Sequence, residues 1–178
     1  MYLKLAKPIG AALLVLTGIV AIILGPTRTE ALSNVEKQEK LASLYQRYKA
    51  EFPSVREISP RDLKAWRMKD KVVIVDGCEP EERAVSMISD AVTLEEFSNR
   101  KPSRIQKPVV FYCTAGYRST ELAKQYAEQG YETYNLRQGI LGWLYEDLPI
   151  VADGEKTNVV HVYGPQWNLA PDRYQTVW

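Results

Sequence analysis

Val109-Val110-Phe111-Tyr112-Cys113-Thr114-Ala115-Gly116-Tyr117-Arg118-Ser119-Thr120 is the stretch from which the rest of the chain can be read. Its first four residues form an uninterrupted apolar run of strand formers, the pattern of a parallel strand covered on both faces. From Arg118 the spacing changes. Leu122, Ala123, Tyr126 and Ala127 share one helical face over residues 118–129, and Gly130 follows as the stop. In open α/β sheets ligands lie outside the carboxyl ends of the strands. A loop entering a helix also turns several backbone amides toward one point, making a nest for an anion. Gly116 gives this loop the freedom to curl. A thiol at its mouth, Cys113, is favoured as the thiolate by those amides and by the helix dipole. Arg118 adds a fixed cation able to hold an anionic substrate. A lone cysteine at a strand end reads more simply as a small buried residue. Gly116, Arg118 and Ser119 at their offsets turn the reading toward a nucleophile.

Working outward, Val72-Val73-Ile74-Val75 and Tyr134-Asn135-Leu136 read as further strands, while Ser59-Pro60 and Thr93-Leu94-Glu95-Glu96 read as helix starts. Strands alternating with helices over residues 53–150 predict an α/β fold with a mostly parallel central sheet flanked by helices. Ahead of it, Ser33-Asn34-Val35-Glu36 has the form of a capping box. Leu41, Leu44, Tyr45, Tyr48 and Phe52 then recur at helical spacing within a spacer, 26–52. That helix packs on the domain or forms a stalk, with partner binding as the alternative. The tail, 151–178, interleaves Tyr163, Trp167, Tyr174 and Trp178 with Pro165 and Pro171, and reads as an irregular strap over the domain surface. Partner docking or an aromatic contact at a bilayer interface is the other reading. His161, alone in this tail, reads as a hydrogen-bonded or exposed histidine and not as a ligand.

At the other end, residues 9–25 carry no charge and follow a basic head, 1–8, containing Lys4 and Lys7. As a helix the stretch reaches about 26 Å, close to a hydrocarbon core of about 30 Å. It is expected to be a transmembrane helix anchoring the protein in a single pass, with a cleaved signal peptide as the alternative. A short basic head staying in the cytoplasm places the domain outside it. Composition narrows the rest. With 23 Lys+Arg against 22 Asp+Glu there is no electrostatic case for nucleic acid. Two cysteines exclude a disulfide-stapled scaffold, and a single histidine leaves little from which to build a histidine-rich metal site or a Ser/His/Asp hydrolase.

The run Cys113-x-x-Gly116-x-Arg118-Ser119 resembles the active-site loop of the rhodanese-like (thiosulfate sulfurtransferase) family in its single-domain form. The flanks are similar as well. They are Ile58-Ser59-Pro60-Arg61-Asp62-Leu63, Val72-Val73-Ile74-Val75-Asp76 with Glu79-Pro80-Glu81-Glu82, Gly130-Tyr131, Gly139-Ile140-Leu141-Gly142-Trp143 and Leu148-Pro149. The resemblance implies sulfane-sulfur transfer from a small donor such as thiosulfate, through a persulfide on Cys113, to a thiophilic acceptor, without metal or organic cofactor. The amides of Thr114, Ala115, Gly116, Tyr117 and Arg118 would surround the sulfur, and Arg118 and Ser119 would close the nest. Cysteine phosphatases of related architecture place five residues between Cys and Arg, whereas four stand here, Thr114 to Tyr117. The smaller ring suits a single sulfur atom.

Two departures stand out. After Asp76 the family commonly has x-Arg, but this chain has Gly77-Cys78, and Ser86-Met87-Ile88-Ser89-Asp90-Ala91 replaces the usual Gly-His-Ile-x-Gly-Ala. Cys78 and Cys113 are expected at one edge of the sheet. Cys78 either fills the vacated Arg position as an inert residue or serves as an auxiliary thiol that resolves a persulfide or pairs with Cys113. Asp76 is expected to organise the backbone, with general-base catalysis as the alternative. The competing functional class is a non-catalytic, membrane-tethered docking module of the same fold, its protein partner unidentified.

Overall fold

A computed structural model describes residues 31–100 and 106–178. The head and the apolar stretch 9–25 lie outside the described residues, and among those described no helix is long and apolar enough to cross a membrane. At the centre is a five-stranded, wholly parallel sheet in the order β1-β6-β5-β2-β4. The strands are β1 (Glu57–Ile58), β2 (Val73–Asp76), β4 (Val92–Thr93), β5 (Val109–Tyr112) and β6 (Thr133–Leu136). The outer strands β1 and β4 are two residues long, which leaves little unpaired edge. β5 lies between β2 and β6, in register with Asp76 opposite Tyr112 and Phe111 opposite Asn135.

The unbroken apolar reading of β5 follows from its position. Val109 and Phe111 point into one core with Val75, Phe97 and Ala123. Val110 and Tyr112 point into the other, with Ile74, Leu136, Leu141 and Trp143. Side chains alternate in a strand, so a strand covered on both faces needs every position apolar. Helices α4 (Leu94–Ser98) and α5 (Tyr117–Glu128) cover the first face. There Phe97 meets Phe111 edge-on at 5.7 Å and Phe111 stacks on Tyr126 at 5.2 Å. Helices α1 (Asn34–Glu51), α2 (Pro60–Met68) and α6 (Gly139–Tyr145) contribute to the second.

The expected starts are present. Ser33 and Glu36 close the capping box of α1, Ser59 caps α2 with Pro60 in its first turn, and Thr93 and Glu96 close the box of α4. The compact unit runs from Leu32 to Trp178 and includes the spacer helix. α1 buries Leu41, Tyr45 and Tyr48 against the sheet domain. At about 1.5–3 kcal/mol for each side chain, that packing far outweighs an exposed ion pair such as Lys37–Asp172, worth at most about 1 kcal/mol. The tail is more regular than the irregular strap expected of it. β7 (Ile150–Ala152) pairs antiparallel with β8 (Glu155–Thr157) and with β3 (Met87–Ile88), which follows α3 (Pro80–Val85). β9 (Val159–His161) pairs parallel with β10 (Gln175–Val177) around a 3-10 turn at Pro165–Trp167.

Candidate active site

Cys113 follows the last residue of β5 and is 2% exposed. The chain then turns through Gly116, at φ +102°, into the first turn of α5. The amide of Gly116 donates to Cys113 Sγ at 3.3 Å, and the Ser119 hydroxyl lies 3.5 Å from the same sulfur. Ser119 has one hydroxyl hydrogen and a shorter partner, Asn135 Oδ1, at 2.7 Å. Asn135, on the neighbouring strand β6, donates in turn to the Gly116 carbonyl at 3.1 Å and to Thr120 Oγ1 at 2.6 Å. The curl of the loop is therefore held from β6 as well as by its own glycine.

A second support comes from α6. Ile140 N–H donates to the Cys113 carbonyl at 2.9 Å, and Leu141 N–H to the Thr114 carbonyl at 3.2 Å. This close approach is possible only because residue 139 is glycine. It sits at φ +58°, and a Cβ there would lie 2.1 Å from the Cys113 carbonyl oxygen. The first turn of α6 thus positions the backbone of the Cys113 loop.

The loop borders a cleft of about 290 Å³. Cys113, Thr114, Ala115, Tyr117 and Arg118 line it from this loop and the start of α5. Tyr48 of α1 and, from the tail, Tyr163 and Trp167 complete the lining. Tyr117 packs edge-on against Tyr48 at 5.0 Å and Phe52 at 5.9 Å. Burial pushes the Tyr48 phenol up to about 12, so it is neutral at ordinary pH.

Sequence reasoning missed the strongest electrostatic contact. Arg118 donates from Nη1 to Glu82 Oε2 at 2.6 Å and from Nη2 to Glu82 Oε1 at 2.8 Å, a bidentate pair. Glu82 also accepts from the Thr114 hydroxyl at 2.7 Å and from the Glu79 amide, at the start of α3, at 2.8 Å. Burial alone would raise this carboxyl, but the guanidinium, the amide and the hydroxyl together hold it below its ordinary value. Burial likewise works against the Arg118 cation, and Glu82 more than restores it. Arg118 borders the cleft, with its two terminal nitrogens already committed to a carboxylate. His161 lies near as well, its Nδ1 accepting the Tyr163 amide at 3.1 Å and standing 3.9 Å from Glu82 Oε1.

Asp76 is fully buried at the end of β2. One of its oxygens accepts the Cys78 amide at 2.8 Å and the other accepts the Tyr112 hydroxyl. Burial raises its carboxyl, partly offset by these donors. These contacts shape the turn after β2. Cys78 is buried and unbridged, as is Cys113. Burial pushes its thiol well above the ordinary value, and the Asp76 carboxylate adds to this. Among the described residues no group of acidic, histidine or cysteine side chains is arranged to hold a metal.

A cysteine just past the central strand of a parallel sheet, beside a helix N-terminus and lining a cleft, marks an α/β domain with its candidate site at the carboxyl end of the sheet. The model of the rhodanese-like domain matches residues 59–146. A sulfurtransferase of Allochromatium vinosum is 39% identical over 104 residues, 55% of this chain and 96% of that protein. The Bacillus subtilis protein YtwF is 33% identical over 101 residues, 53% of this chain and 96% of its own. The crystal structure of a thiosulfate sulfurtransferase from Pseudomonas aeruginosa superposes with a TM-score of 0.52 at 16% identity, over 58% of this chain and 21% of that one, a likeness of fold. The chain belongs to the rhodanese-like domain family.

Proposed function

We propose that the protein is a sulfurtransferase that carries a sulfane sulfur on Cys113. The supporting observation is the placement of Cys113, which lines the cleft with its Sγ 3.3 Å from the Gly116 amide at the head of α5. The Cys113 thiolate attacks the outer sulfur of thiosulfate. The S–S bond of the donor breaks, its electron pair leaves with sulfite, and Cys113 holds a persulfide. A thiophilic acceptor such as cyanide then attacks the terminal sulfur, leaves as thiocyanate and restores the thiolate. Two displacements replace one harder transfer, and the amide dipole faces the anionic sulfur in each. Ser119 can turn its hydroxyl from Asn135 to the sulfur as charge builds there. Arg118, tied to Glu82, holds the loop. The apolar stretch 9–25, by its length and lack of charge, supports a membrane tether, and the short basic head, 1–8, supports a domain on the extracytoplasmic side.

Thiocyanate formation from thiosulfate and cyanide, with the full-length chain in detergent, tests this reading. Wild type should turn over and Cys113→Ala should not. If both are equally inactive, the thiol has no transfer role and the non-catalytic docking module is the better account.

A further inference from the structure

The family match ends at residue 146 and begins at 59, yet three aromatic side chains lining the cleft come from outside that range. Tyr48 is brought in by α1, and Tyr163 and Trp167 by the tail. Tyr163 adopts φ +67°, where a bulky side chain is strained, and remains 62% exposed. Core packing does not account for that cost. What the conformation achieves is placement at the lip of the cleft, with the Tyr163 ring 5.4 Å from the Arg118 guanidinium. Arg118 is the one charged residue lining the cleft among those described, and Glu82 already neutralises it. The cleft therefore offers aromatic walls and no uncommitted cation, a poor match for a small inorganic dianion. Its volume of about 290 Å³ also far exceeds what a five-atom ion such as thiosulfate fills.

We propose that the cleft prefers, as sulfur partner of Cys113, an organic persulfide or thiol with an aromatic-sized apolar body, held between Tyr163, Trp167 and Tyr48. The proposal rests on Cys113 being the sulfur-transfer nucleophile and adds the class of compound it serves. In the loading step the Cys113 thiolate attacks the outer sulfur of R–S–SH. The S–S bond of the donor breaks, its electron pair leaves on the inner sulfur as R–S⁻, and Cys113 keeps the outer sulfur with its hydrogen as Cys113–S–SH. The apolar body R stays against the aromatic walls during the exchange, and R–S⁻ departs from the open side.

Alkylation of Cys113 tests the cleft without requiring sulfur transfer. Rates with iodoacetamide, N-benzyliodoacetamide and the anion iodoacetate are measured on the full-length protein by mass spectrometry. Each is normalised to the same reagent's rate with N-acetylcysteine. Burying one phenyl ring on such walls corresponds to a gain on the order of tenfold. The benzyl reagent is expected to exceed iodoacetamide by more than about fivefold, with iodoacetate no faster than iodoacetamide, and Tyr163→Ala or Trp167→Ala should reduce the benzyl advantage. Tyr163 is exposed, so its truncation leaves the core intact and serves as the variant least able to misfold. A smaller benzyl advantage, one unaltered in both variants, or a preference for iodoacetate would overturn the proposal. If thiocyanate forms but the benzyl advantage is absent, the organic-body inference alone falls. If the advantage is present but thiocyanate does not form, the sulfur-transfer reading falls, and the sulfur compound as occupant falls with it.

Discussion

Glu82 receives both terminal nitrogens of Arg118, at 2.6 and 2.8 Å, and thereby ties α3 to the first turn of α5, just after the loop that follows Cys113. The pair couples two elements that are far apart in sequence and adjacent at the cleft. It also decides the electrostatics there, because a guanidinium already forked onto a carboxylate acts as a brace more than as an anion trap.

Glu82→Gln should cost on the order of 2 kcal/mol, a fall in Tm of roughly 4–8 °C, because it removes charge-assisted hydrogen bonds and leaves Arg118 half-buried without its counter-charge. The pH dependence has a definite sign. The Glu82 carboxyl is held below its ordinary 4.5 in the folded state, so its stabilisation is complete above about pH 4.5 and fades as pH falls through the lower folded value. The gap in urea midpoint between wild type and Glu82→Gln should be constant from neutral pH to about 5 and should narrow in more acid solution. A gap that widens toward acid would contradict the clamp.

The two glycines at 130 and 139 form a matched test. Both have positive φ, but a Cβ at Gly130 meets nothing within 4 Å, whereas one at Gly139 lies 2.1 Å from the Cys113 carbonyl. Gly130→Ala should cost only backbone strain, about 1 kcal/mol, with turnover retained. Gly139→Ala should cost several kcal/mol, or, if it folds, displace the Cys113 loop and lower thiocyanate formation by more than tenfold. Thermal melts and initial rates of both variants check this.

Cys78 is predicted to be chemically quiet. Burial and then the Asp76 carboxylate keep its thiol protonated to well above the ordinary 9.0, and the thiolate is the reacting form. Mild iodoacetamide treatment near pH 7.5 should give one adduct, at Cys113, and Cys78→Ala should turn over within about twofold of wild type. A peptide linking Cys78 to Cys113 after mild oxidation would instead show the auxiliary role.

Most of the fold could be read from periodicity and caps. β5 ran as expected over Val109–Tyr112, and α5 began one residue before the expected start because Gly116 itself serves as its N-cap. The site was only half legible. Cys113, Gly116 and Ser119 lie in one short stretch of chain, so their spacing carries their geometry. Glu82 and Asn135 reach the loop across the sheet, and nothing local announces a contact made through tertiary structure. A signal for Glu82 did exist, since Glu79-Pro80-Glu81-Glu82 has the form of a capping box with proline in the first turn, and that cap fixes where the carboxylate stands. The roles of Tyr48, Tyr163 and Trp167 could not be read in advance, because aromatics at helical or irregular spacing look alike whether they fill a core or face a cleft.

The central claim is that Cys113 accepts a sulfur atom, and intact-protein and peptide mass spectrometry after incubation with excess thiosulfate tests it most directly. The account predicts a gain of about 32 Da, one sulfur atom, located on the peptide carrying Cys113, absent in Cys113→Ser and discharged by cyanide. A Cys113 peptide that stays at its unmodified mass, or an added sulfur found on Cys78 instead, would contradict it.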